Sequence, residues 1–164
     1  MPWANSYSAR LAGVNRTEVV LRPCAGSAEW PVLAHIWRGA VTATHDFLTA
    51  ADIDFYESRL LTEYFAMVEL TVATVDGTAV GFSGIAGGKL EMLFVDQQRR
   101  GTGVGAVLLQ QAIAAHPGLL VDVNEQNPQA LAFYRRFGFV TVDRHDTDAD
   151  GRPFPILNLA LPGS

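Results

Sequence analysis

The sequence predicts one mixed α/β domain in which strands and helices are interspersed along the chain. The chain has 164 residues, a length typical of a single domain, and its 49% hydrophobic residues supply enough apolar surface for a core. Segments in which polar and apolar residues alternate, as they do in strands, are separated by segments whose apolar residues recur at helical spacing. Their order predicts the arrangement β-α-α-β-β-β-α-β-α-β-β.

The N-terminal part predicts one strand followed by two helices. Residues 18–22 form a short apolar strand that Pro23 ends. Helical spacing then extends from 27 to about 44, and again from 49 or 51 to about 64. Residues 1–17 show no periodicity and predict a loose N-terminal arm.

The middle of the chain predicts three consecutive strands joined by tight turns. Residues 67–75 and 79–86 alternate like strands, and Asp76-Gly77 between them is typical of a hairpin turn. Gly87-Gly88 then turns the chain into a third strand at 89–95.

The C-terminal part alternates between helices and strands. A glycine-rich polar stretch at 96–103 opens a helix at 104–115, and the apolar residues 119–123 predict a buried strand. Asn127-Pro128 predicts the start of a second helix, and Gly138 its end. Two last strands are predicted at 139–142 and 156–161, with a turn near 148–151 between them.

Composition narrows the classes of function. A formal net charge of −5 disfavours nucleic acid and anionic membrane as partners. One cysteine, Cys24, and four dispersed histidines predict neither disulfides nor a metal site. The sequence contains no apolar run of 18 residues and does not begin like a signal peptide, so we predict a cytoplasmic protein without a transmembrane helix.

The segment Arg100-Gly101-Thr102-Gly103-Val104-Gly105 lies between a predicted strand and a predicted helix. Glycines there let backbone N–H groups approach a ligand, and the helix N-terminus favours an anion such as phosphate. An ordinary glycine-rich turn is the alternative interpretation. The surroundings of Gly88-Lys89 do not match a Walker loop, and Ile85 interrupts a nucleophile elbow at Gly81-Phe82-Ser83-Gly84.

A dinucleotide-binding fingerprint is a further candidate. Gly101-x-Gly103-x-x-Ala106 matches it, and Asp122 follows at the end of an apolar strand. The fingerprint places its first glycine directly after the strand, whereas five polar residues, 96–100, intervene here. A nucleotide-binding oxidoreductase is therefore the third interpretation of this chain.

Three segments together resemble the GNAT family of acetyl-CoA-dependent N-acetyltransferases. In order, they are Leu93-Phe94-Val95-Asp96 with Arg100-x-x-Gly103-x-Gly105, then Asn124 with Asn127, and then Ala130 and Phe133-Tyr134 before Gly138-Phe139. The resemblance covers about residues 19–161, and the glycine loop and the last helix are its most specific parts.

The resemblance implies a particular sheet. It predicts one acetyltransferase domain over residues 18–162, with a central mixed, mostly antiparallel sheet and helices on both faces. The sheet is expected to splay between its fourth and fifth predicted strands, 89–95 and 119–123. A bulge near Phe94-Val95 is expected to accompany the splay.

The resemblance also implies a coenzyme site at the splay and the glycine loop. Backbone amides of the loop would hold the pyrophosphate of acetyl-CoA, while pantetheine would fill the splay and an amide near Val95 would hydrogen-bond the thioester oxygen. The residues implied are Phe94, Val95, Arg99, Arg100, Gly101, Thr102, Gly103, Val104, Gly105, Asn127 and Tyr134. Arg135 and Arg136 are either contacts of the coenzyme 3′-phosphate or solvated helix charges.

Two residues are candidates for catalysis. Tyr134 lies two helical turns after Asn127 on the same face, and the family uses a tyrosine there to assist the leaving thiolate; core packing is the alternative. Glu91 is the one carboxylate in the strand before the glycine loop, and alternation places it on one face with Leu93 and Val95. It is either a general base or an exposed strand carboxylate.

The acceptor pocket is expected between the first two helices. Trp37, His45 and Phe47 are the candidate lining residues, with core packing as the alternative for the two aromatic residues. His45 and Asp46 are rivals of Glu91 as the base.

The predicted function is transfer of an acetyl group from acetyl-CoA to a primary amine of a small molecule or peptide. The amine would attack directly in a ternary complex, with acetyl-CoA as co-substrate and no metal. The alternative is a non-catalytic acyl-CoA-binding regulatory module on the same fold. Both a monomer and a homodimer remain open.

Overall fold

The protein is described by a computed structural model that covers residues 7–10 and 18–163. Within these residues, eight strands form one sheet in the order β1-β2-β3-β4-β5-β6-β8-β7. The strands are β1 (Tyr7–Arg10), β2 (Glu18–Pro23), β3 (Glu69–Val75), β4 (Thr78–Ala86), β5 (Lys89–Val95), β6 (Leu120–Asn124), β7 (Val140–His145) and β8 (Ile156–Ala160). The helices are α1 (Trp30–Thr44), α2 (Ala50–Arg59), α3 (Phe65–Met67), α4 (Val104–Ala115) and α5 (Pro128–Arg136).

Local sequence signals account for several element boundaries. Thr49 caps α2 through a reciprocal capping box with Asp52. Asn127 caps α5 by accepting from the Ala130 N–H. After α5, Gly138 adopts a φ of 93°, and Phe139 N–H donates to the Tyr134 carbonyl in a Schellman ending. The predicted start and end of this helix are confirmed.

The first strand corrects the prediction of a loose arm. Residues 7–10 pair antiparallel with β2, from Tyr7 opposite Leu21 to Arg10 opposite Glu18. These residues carry no alternation strong enough to predict a strand, and the pairing with β2 supplies the order instead. The rest of the predicted arm, 1–6 and 11–17, lies outside the described residues.

The second predicted helix is interrupted rather than continuous. After α2 the chain makes one π-helical turn at Leu60–Tyr64, in which Phe65 N–H donates to the Leu60 carbonyl, and α3 follows directly. The wider turn changes which side chains share a face, and such turns are frequent at functional sites.

Helices cover both faces of the sheet, as predicted. On one face, α1 to α3 pack on β3 to β5 through a cluster that includes Leu33, Phe65 and Phe82. On the other face, α4 packs on β2 to β4, and α4 and α5 pack on β6 and β8 around residues such as Leu109 and Leu159. These two layers bury the sheet at its centre and leave β7 exposed at one end.

The parallel pair β5 and β6 opens into a fork. The two strands pair only where Lys89 faces Leu120 and Leu90 faces Val121, whereas all other neighbouring strands pair antiparallel over four or more positions. Beyond Leu90, β5 stays with β4 and β6 stays with β8. The predicted splay between these two strands is confirmed, and it leaves the β6-facing edge of β5 unpaired among the described strands.

Candidate active site

A cavity of about 400 Å³ lies where α1, α2, β5, β6 and the β7–β8 loop meet. Trp37, His45 and Phe47 line it, as do Glu91 and Phe94 from β5. The structure therefore brings all three predicted pocket residues to the same space as the predicted base. Most of the remaining wall is apolar, which suits the hydrocarbon part of a ligand.

Four carboxylates and no lysine or arginine stand among the described residues that line this cavity. Asp122 accepts hydrogen bonds from Lys89 and Asn158. Asp148 accepts from the Tyr56 hydroxyl, and Asp150 accepts from Arg59 and the Tyr64 hydroxyl. Glu91 alone among the four makes no hydrogen bond or ion pair to a described residue. Among the described residues that line the cavity, Glu91 is thus the one carboxylate without a hydrogen-bond or ion-pair partner.

A bulge in β5 gives Glu91 this position. Gly84 faces Met92 across the β4–β5 pair, and the next pair joins Ile85 to Leu90, so Glu91 is the extra residue. The expected bulge near Phe94-Val95 was therefore misplaced along the strand. The family pattern marks the strand but carries no signal for which residue loses its partner.

The same bulge corrects the predicted face of Glu91. Glu91 lies on the cavity side with Met92 and Phe94, whereas Leu93 and Val95 pack in the clusters on the α4 face. Strict alternation would have placed Glu91 with the latter pair, but the extra residue shifts the pattern by one. Without the bulge this carboxylate would point away from the acceptor pocket.

The surroundings of Glu91 raise its basicity. Glu91 is an exposed residue of β5 where it lines the cavity. The protein around its carboxyl still removes part of its hydration, which disfavours the charged form and raises the pKa of Glu91 above its usual range. The Lys89 ammonium opposes this shift, and the Asp122 carboxylate reinforces it. Lys89 itself donates to Asp122 at 3.0 Å, so its charge is largely engaged with that partner.

His45 is buried and held as a neutral ring. Thr44 Oγ1 donates to the Ala40 carbonyl at 2.7 Å, so His45 Nδ1 donates to Thr44 at 2.8 Å. Asn127 Nδ2 donates to His45 Nε2 at 3.4 Å, a contact that links the end of α1 to the start of α5. Burial lowers the pKa of His45 to about 4. A ring with both nitrogens engaged and so low a pKa is a weaker candidate for the base than Glu91.

Asp46, the other rival base, is exposed and is not part of the cavity wall.

Trp37 is 6% exposed and belongs to the α1 core cluster, and it also lines the cavity. Core packing and pocket lining, the two interpretations of this residue, therefore both hold. Phe47 packs against His45 and Phe154, with ring centroids 5.3 and 5.7 Å away.

Tyr134 is buried in the cluster on the α4 face, at 6% exposure, between Phe133 and Phe139. It does not line the cavity, so the structure does not bring it together with Glu91 in that space. Burial alone raises the pKa of its phenol, which therefore stays protonated and can donate a hydrogen bond.

The glycine loop presents an uncapped helix end. Gly101 and Gly103 adopt φ values of 73° and 92°, which L side chains rarely adopt, and no side chain caps α4, whereas α2 and α5 are both capped. The Arg100 guanidinium donates to the Gln129 side chain at the start of α5. The loop thus combines free backbone N–H groups with a neighbouring cation, which fits a pyrophosphate group.

The other predicted coenzyme residues fall into two groups. Val104 is buried at 1% exposure, and Gly105 lies against Phe133 and Val95 where α4 meets α5 and β5. Arg99 and Thr102 form the turn before α4, in which Thr102 donates through both its N–H and its hydroxyl to the Arg99 carbonyl. Arg135 and Arg136 are exposed on the last turn of α5.

Sequence reasoning missed a second set of residues around the cavity. Tyr56, Tyr64, Asp148, Asp150 and Phe154 all line it. The aspartates alternate along a segment predicted only as a turn, which is the one signal that could have drawn attention to them.

Two further features are absent from the part of the chain that the structure describes. Across residues 7–10 and 18–163, no group of three or more His, Cys, Asp or Glu side chains is arranged to hold a metal ion. No helix in the same part of the chain is long and apolar enough to cross a membrane.

Comparison with known proteins identifies related enzymes. A family model described as an acetyltransferase (GNAT) domain matches residues 42–155. The peptidyl-lysine N-acetyltransferase YjaB of Salmonella typhimurium is 41% identical over 131 residues, which are 79% of this chain and 90% of that protein. The peptidyl-lysine N-acetyltransferase YiaC of Escherichia coli is 30% identical over 73% of this chain and 82% of its own length.

A solved structure shares the same architecture. The solution structure of the apo form of YjaB from Escherichia coli matches with a TM-score of 0.81 at 37% sequence identity. The match covers 89% of this chain and 99% of that one. The mixed sheet described above is therefore common to both proteins.

Proposed function

Because this chain belongs to the GNAT acetyltransferase family, we propose that it acetylates the ε-amine of a lysine side chain held in the cavity beside Glu91. The chain is an acetyl-CoA-dependent N-acetyltransferase, as predicted, and its membership in the family excludes the dinucleotide oxidoreductase interpretation. Lysine as acceptor and the role of each residue are the parts that we propose.

The acidic wall of the cavity supports a cationic acceptor. Four carboxylates line the cavity, of which Asp122 and Asp150 are ion-paired with Lys89 and Arg59. The negative charge that remains on this wall favours an ammonium ion over an anion or a neutral group. The apolar remainder of the wall suits an alkyl chain such as the four methylenes of lysine. The names of the relatives, which describe peptidyl-lysine acetylation, agree with this choice.

Removal of a proton is the first demand on the site. An alkylammonium with a pKa near 10.4 is only about 0.04% neutral at pH 7, a deficit of roughly 4.6 kcal/mol. Glu91 supports the role of general base because it is unpaired, faces the cavity and has a raised pKa. This free carboxylate is the observation that carries the proposal.

The fork and the glycine loop fit acetyl-CoA, which supplies an acetyl group attached to a thiol leaving group. The unpaired edge of β5 beyond Leu90 offers backbone amides for the acyl oxygen, and the uncapped start of α4 offers amides for the pyrophosphate. Asn127 at the start of α5 would touch pantetheine. We assign Tyr134, on the same helix, the hydrogen bond to the departing thiolate.

Direct attack in a ternary complex follows from these roles. A base on the acceptor side and a hydrogen-bond donor on the thiolate side allow the amine to displace the thiol without a covalent enzyme intermediate. The requirement for acetyl-CoA favours the predicted cytoplasmic location, which stays a prediction, as does the choice between monomer and homodimer.

The test is thiol release from acetyl-CoA in the presence of an amine panel. We expect turnover with an α-blocked lysyl peptide, and mass spectrometry should place one acetyl group on the ε-nitrogen. A peptide with a free α-amine and arginine in place of lysine is the control for N-terminal acetylation. Binding of acetyl-CoA without any acetylated amine would instead support the regulatory module.

A further inference from the structure

The β7–β8 loop, residues 146–155, forms one wall of the cavity through Asp148, Ala149, Asp150 and Phe154. The loop is shaped by its own carboxylate. Asp148 Oδ1 accepts from the Asp150 N–H at 3.0 Å and from the Arg152 N–H at 2.9 Å. The turn therefore carries much of its form without help from the rest of the protein.

Side chains of the α2 region hold this loop in place. The Tyr56 hydroxyl donates to Asp148, and the Tyr64 hydroxyl donates to Asp150. Arg59 Nη2 also donates to Asp150 Oδ1, at 3.0 Å. We refer to these five residues as the acceptor latch, and each bond in it joins partners that are 86 to 92 positions apart.

The π-helical turn explains why two donors reach one carboxylate. Arg59 and Tyr64 are five positions apart, and five residues of an α-helix turn through about 500°, which would place the two side chains on different faces. The i→i+5 bonding of a π-helix places residues five apart nearly above one another. The turn at Leu60–Tyr64 therefore directs both side chains to Asp150.

The latch aspartates are engaged rather than free. Asp148 is bonded to Tyr56 and to its own loop, and both oxygens of Asp150 have donors. A substrate ammonium would share these carboxylates with the donors already bonded to them, whereas the Glu91 carboxylate has no such donor among the described residues. The hydrogen bonds of the acceptor latch thus fix the position of this cavity wall. They also hold the Phe154 ring against the Tyr56 and Phe47 rings, with centroids 6.5 and 5.7 Å away.

We propose that Tyr56 and Tyr64 are positioning residues for the acceptor: they fix the 146–155 loop so that the cavity admits a slim, unbranched alkyl amine and seats its nitrogen at Glu91. This inference rests on the proposed function. Burial raises the pKa of Tyr64 to about 12, so its hydroxyl remains a donor throughout the working pH range.

The test compares Tyr56→Phe and Tyr64→Phe with the wild type. Each change keeps the ring and removes one hydrogen bond to a partly buried carboxylate. We expect the KM for an α-blocked lysyl peptide to rise roughly tenfold, which is typical of losing a hydrogen bond to a charged group, with the KM for acetyl-CoA unchanged. Amide hydrogen exchange in residues 146–155 should become faster.

Arg38→Gln is the matched control. Arg38 pairs with Asp54 at 2.9 Å and with Glu57, so its loss also removes charged contacts of α2, but away from the cavity wall. We expect both KM values and the exchange rate of the loop to stay as in the wild type.

The outcomes separate the two proposals. A wild-type protein that acetylates no lysyl peptide would show that the proposed function is wrong. The positioning role of Tyr56 and Tyr64 would then be wrong as well. An active wild type whose two tyrosine variants keep the acceptor KM, or raise both KM values equally, would overturn the positioning role alone.

Discussion

In the mechanism that we propose, Tyr134 and Glu91 divide the chemistry between two parts of the molecule. Tyr134 lies in the cluster on the α4 face, and Glu91 lies in the wall of the acceptor cavity. A thiol pKa near 8.5 and a phenol pKa near 10 make full proton transfer to the thiolate uphill by about 2 kcal/mol. Burial raises the Tyr134 pKa further, so its useful contribution is a hydrogen bond that strengthens as charge develops on sulfur.

We therefore predict that Tyr134→Phe lowers kcat by at least about tenfold, or about 1.4 kcal/mol, because the lost bond acts mainly in the transition state. The KM for acetyl-CoA and the melting temperature should change little, since the ring and its packing remain. Steady-state kinetics under conditions where chemistry limits the rate check this. Full turnover in the variant would make Tyr134 a packing residue.

His45 gives a prediction about stability and pH. Its folded pKa of about 4 lies below the ordinary 6.5, so the unfolded chain binds more protons between these values. The stability that the neutral ring provides is complete above pH 6.5 and is lost progressively as the pH falls towards 4. From pH 6.5 to 5 the wild type should lose about 1–2 kcal/mol of unfolding free energy.

The measurement is urea unfolding at several pH values, with His45→Gln as the comparison. The variant has no titrating ring at this position and should show a flatter dependence between pH 6.5 and 5. Glu29, whose pKa Arg22 lowers to about 2, contributes its own loss only below about pH 4.5 and so lies outside this window. If the free energy of unfolding depended on pH in the same way in both proteins, His45 would not be a buried ring with a lowered pKa.

At the scale of elements, the sequence predicts what local chemistry decides. The Asn127 cap, the Gly138 ending and the Asp76-Gly77 hairpin each depend on a few neighbouring residues, and all appear in the structure. The conformation of the glycine loop likewise depends on a few neighbouring residues. The coenzyme site that we propose at this loop could therefore be predicted from a short motif.

The parts that the sequence does not predict depend on distant pairing. The bulge at Glu91 exists only because β4 fixes the register on both sides of it. Strand β1 exists through its pairing with β2. Likewise, no local pattern relates Tyr64 to Asp150, which is 86 positions away. For this reason the sequence did not show that Tyr56, Tyr64, Asp148 and Asp150 line the cavity.

The glycine loop gives a prediction at this scale. Gly103→Ala puts a side chain at φ 92°, immediately before the uncapped end of α4, which we assign to the coenzyme pyrophosphate. The backbone strain should cost roughly 1–3 kcal/mol of stability. We expect the affinity for acetyl-CoA, measured by calorimetry, to fall by more than tenfold.

Gly77→Ala is the matched control for this variant. Gly77 has a similar φ of 78° in the turn between β3 and β4, and a Cβ there meets no other atom within 4 Å. Both variants should lose comparable stability, but only Gly103→Ala should lose affinity for acetyl-CoA. Equal affinities in the two variants would remove the loop from the coenzyme site.

At the scale of the molecule, the charges of the glycine loop and of the cavity are opposed. The net charge is −5, yet Arg99 and Arg100 lie together at the glycine loop, while the described lining of the cavity holds carboxylates and no cationic side chain. The sheet separates a region suited to a phosphate-bearing coenzyme from one suited to an ammonium. The 18–162 domain that we propose contains both, and the matched family region 42–155 lies inside it.

The fork that opens between β5 and β6 brings these two regions together around Glu91, the carboxylate that we propose as the base. Replacing Glu91 by Gln removes the base while preserving its size. Loss of general base catalysis should depress kcat/KM at pH 7 by roughly 100-fold. Asp54→Asn, an exposed carboxylate of α2 outside the cavity wall, is the control.

The most direct measurement is the pH–rate profile of Glu91→Gln with an α-blocked lysyl peptide. In the wild type, the rate should fall as the pH drops through the raised pKa of Glu91, because the carboxylate then becomes protonated. The variant should lack this acidic limb, and its rate should recover at alkaline pH as free amine accumulates. A variant profile that coincides with the wild-type profile would contradict the account.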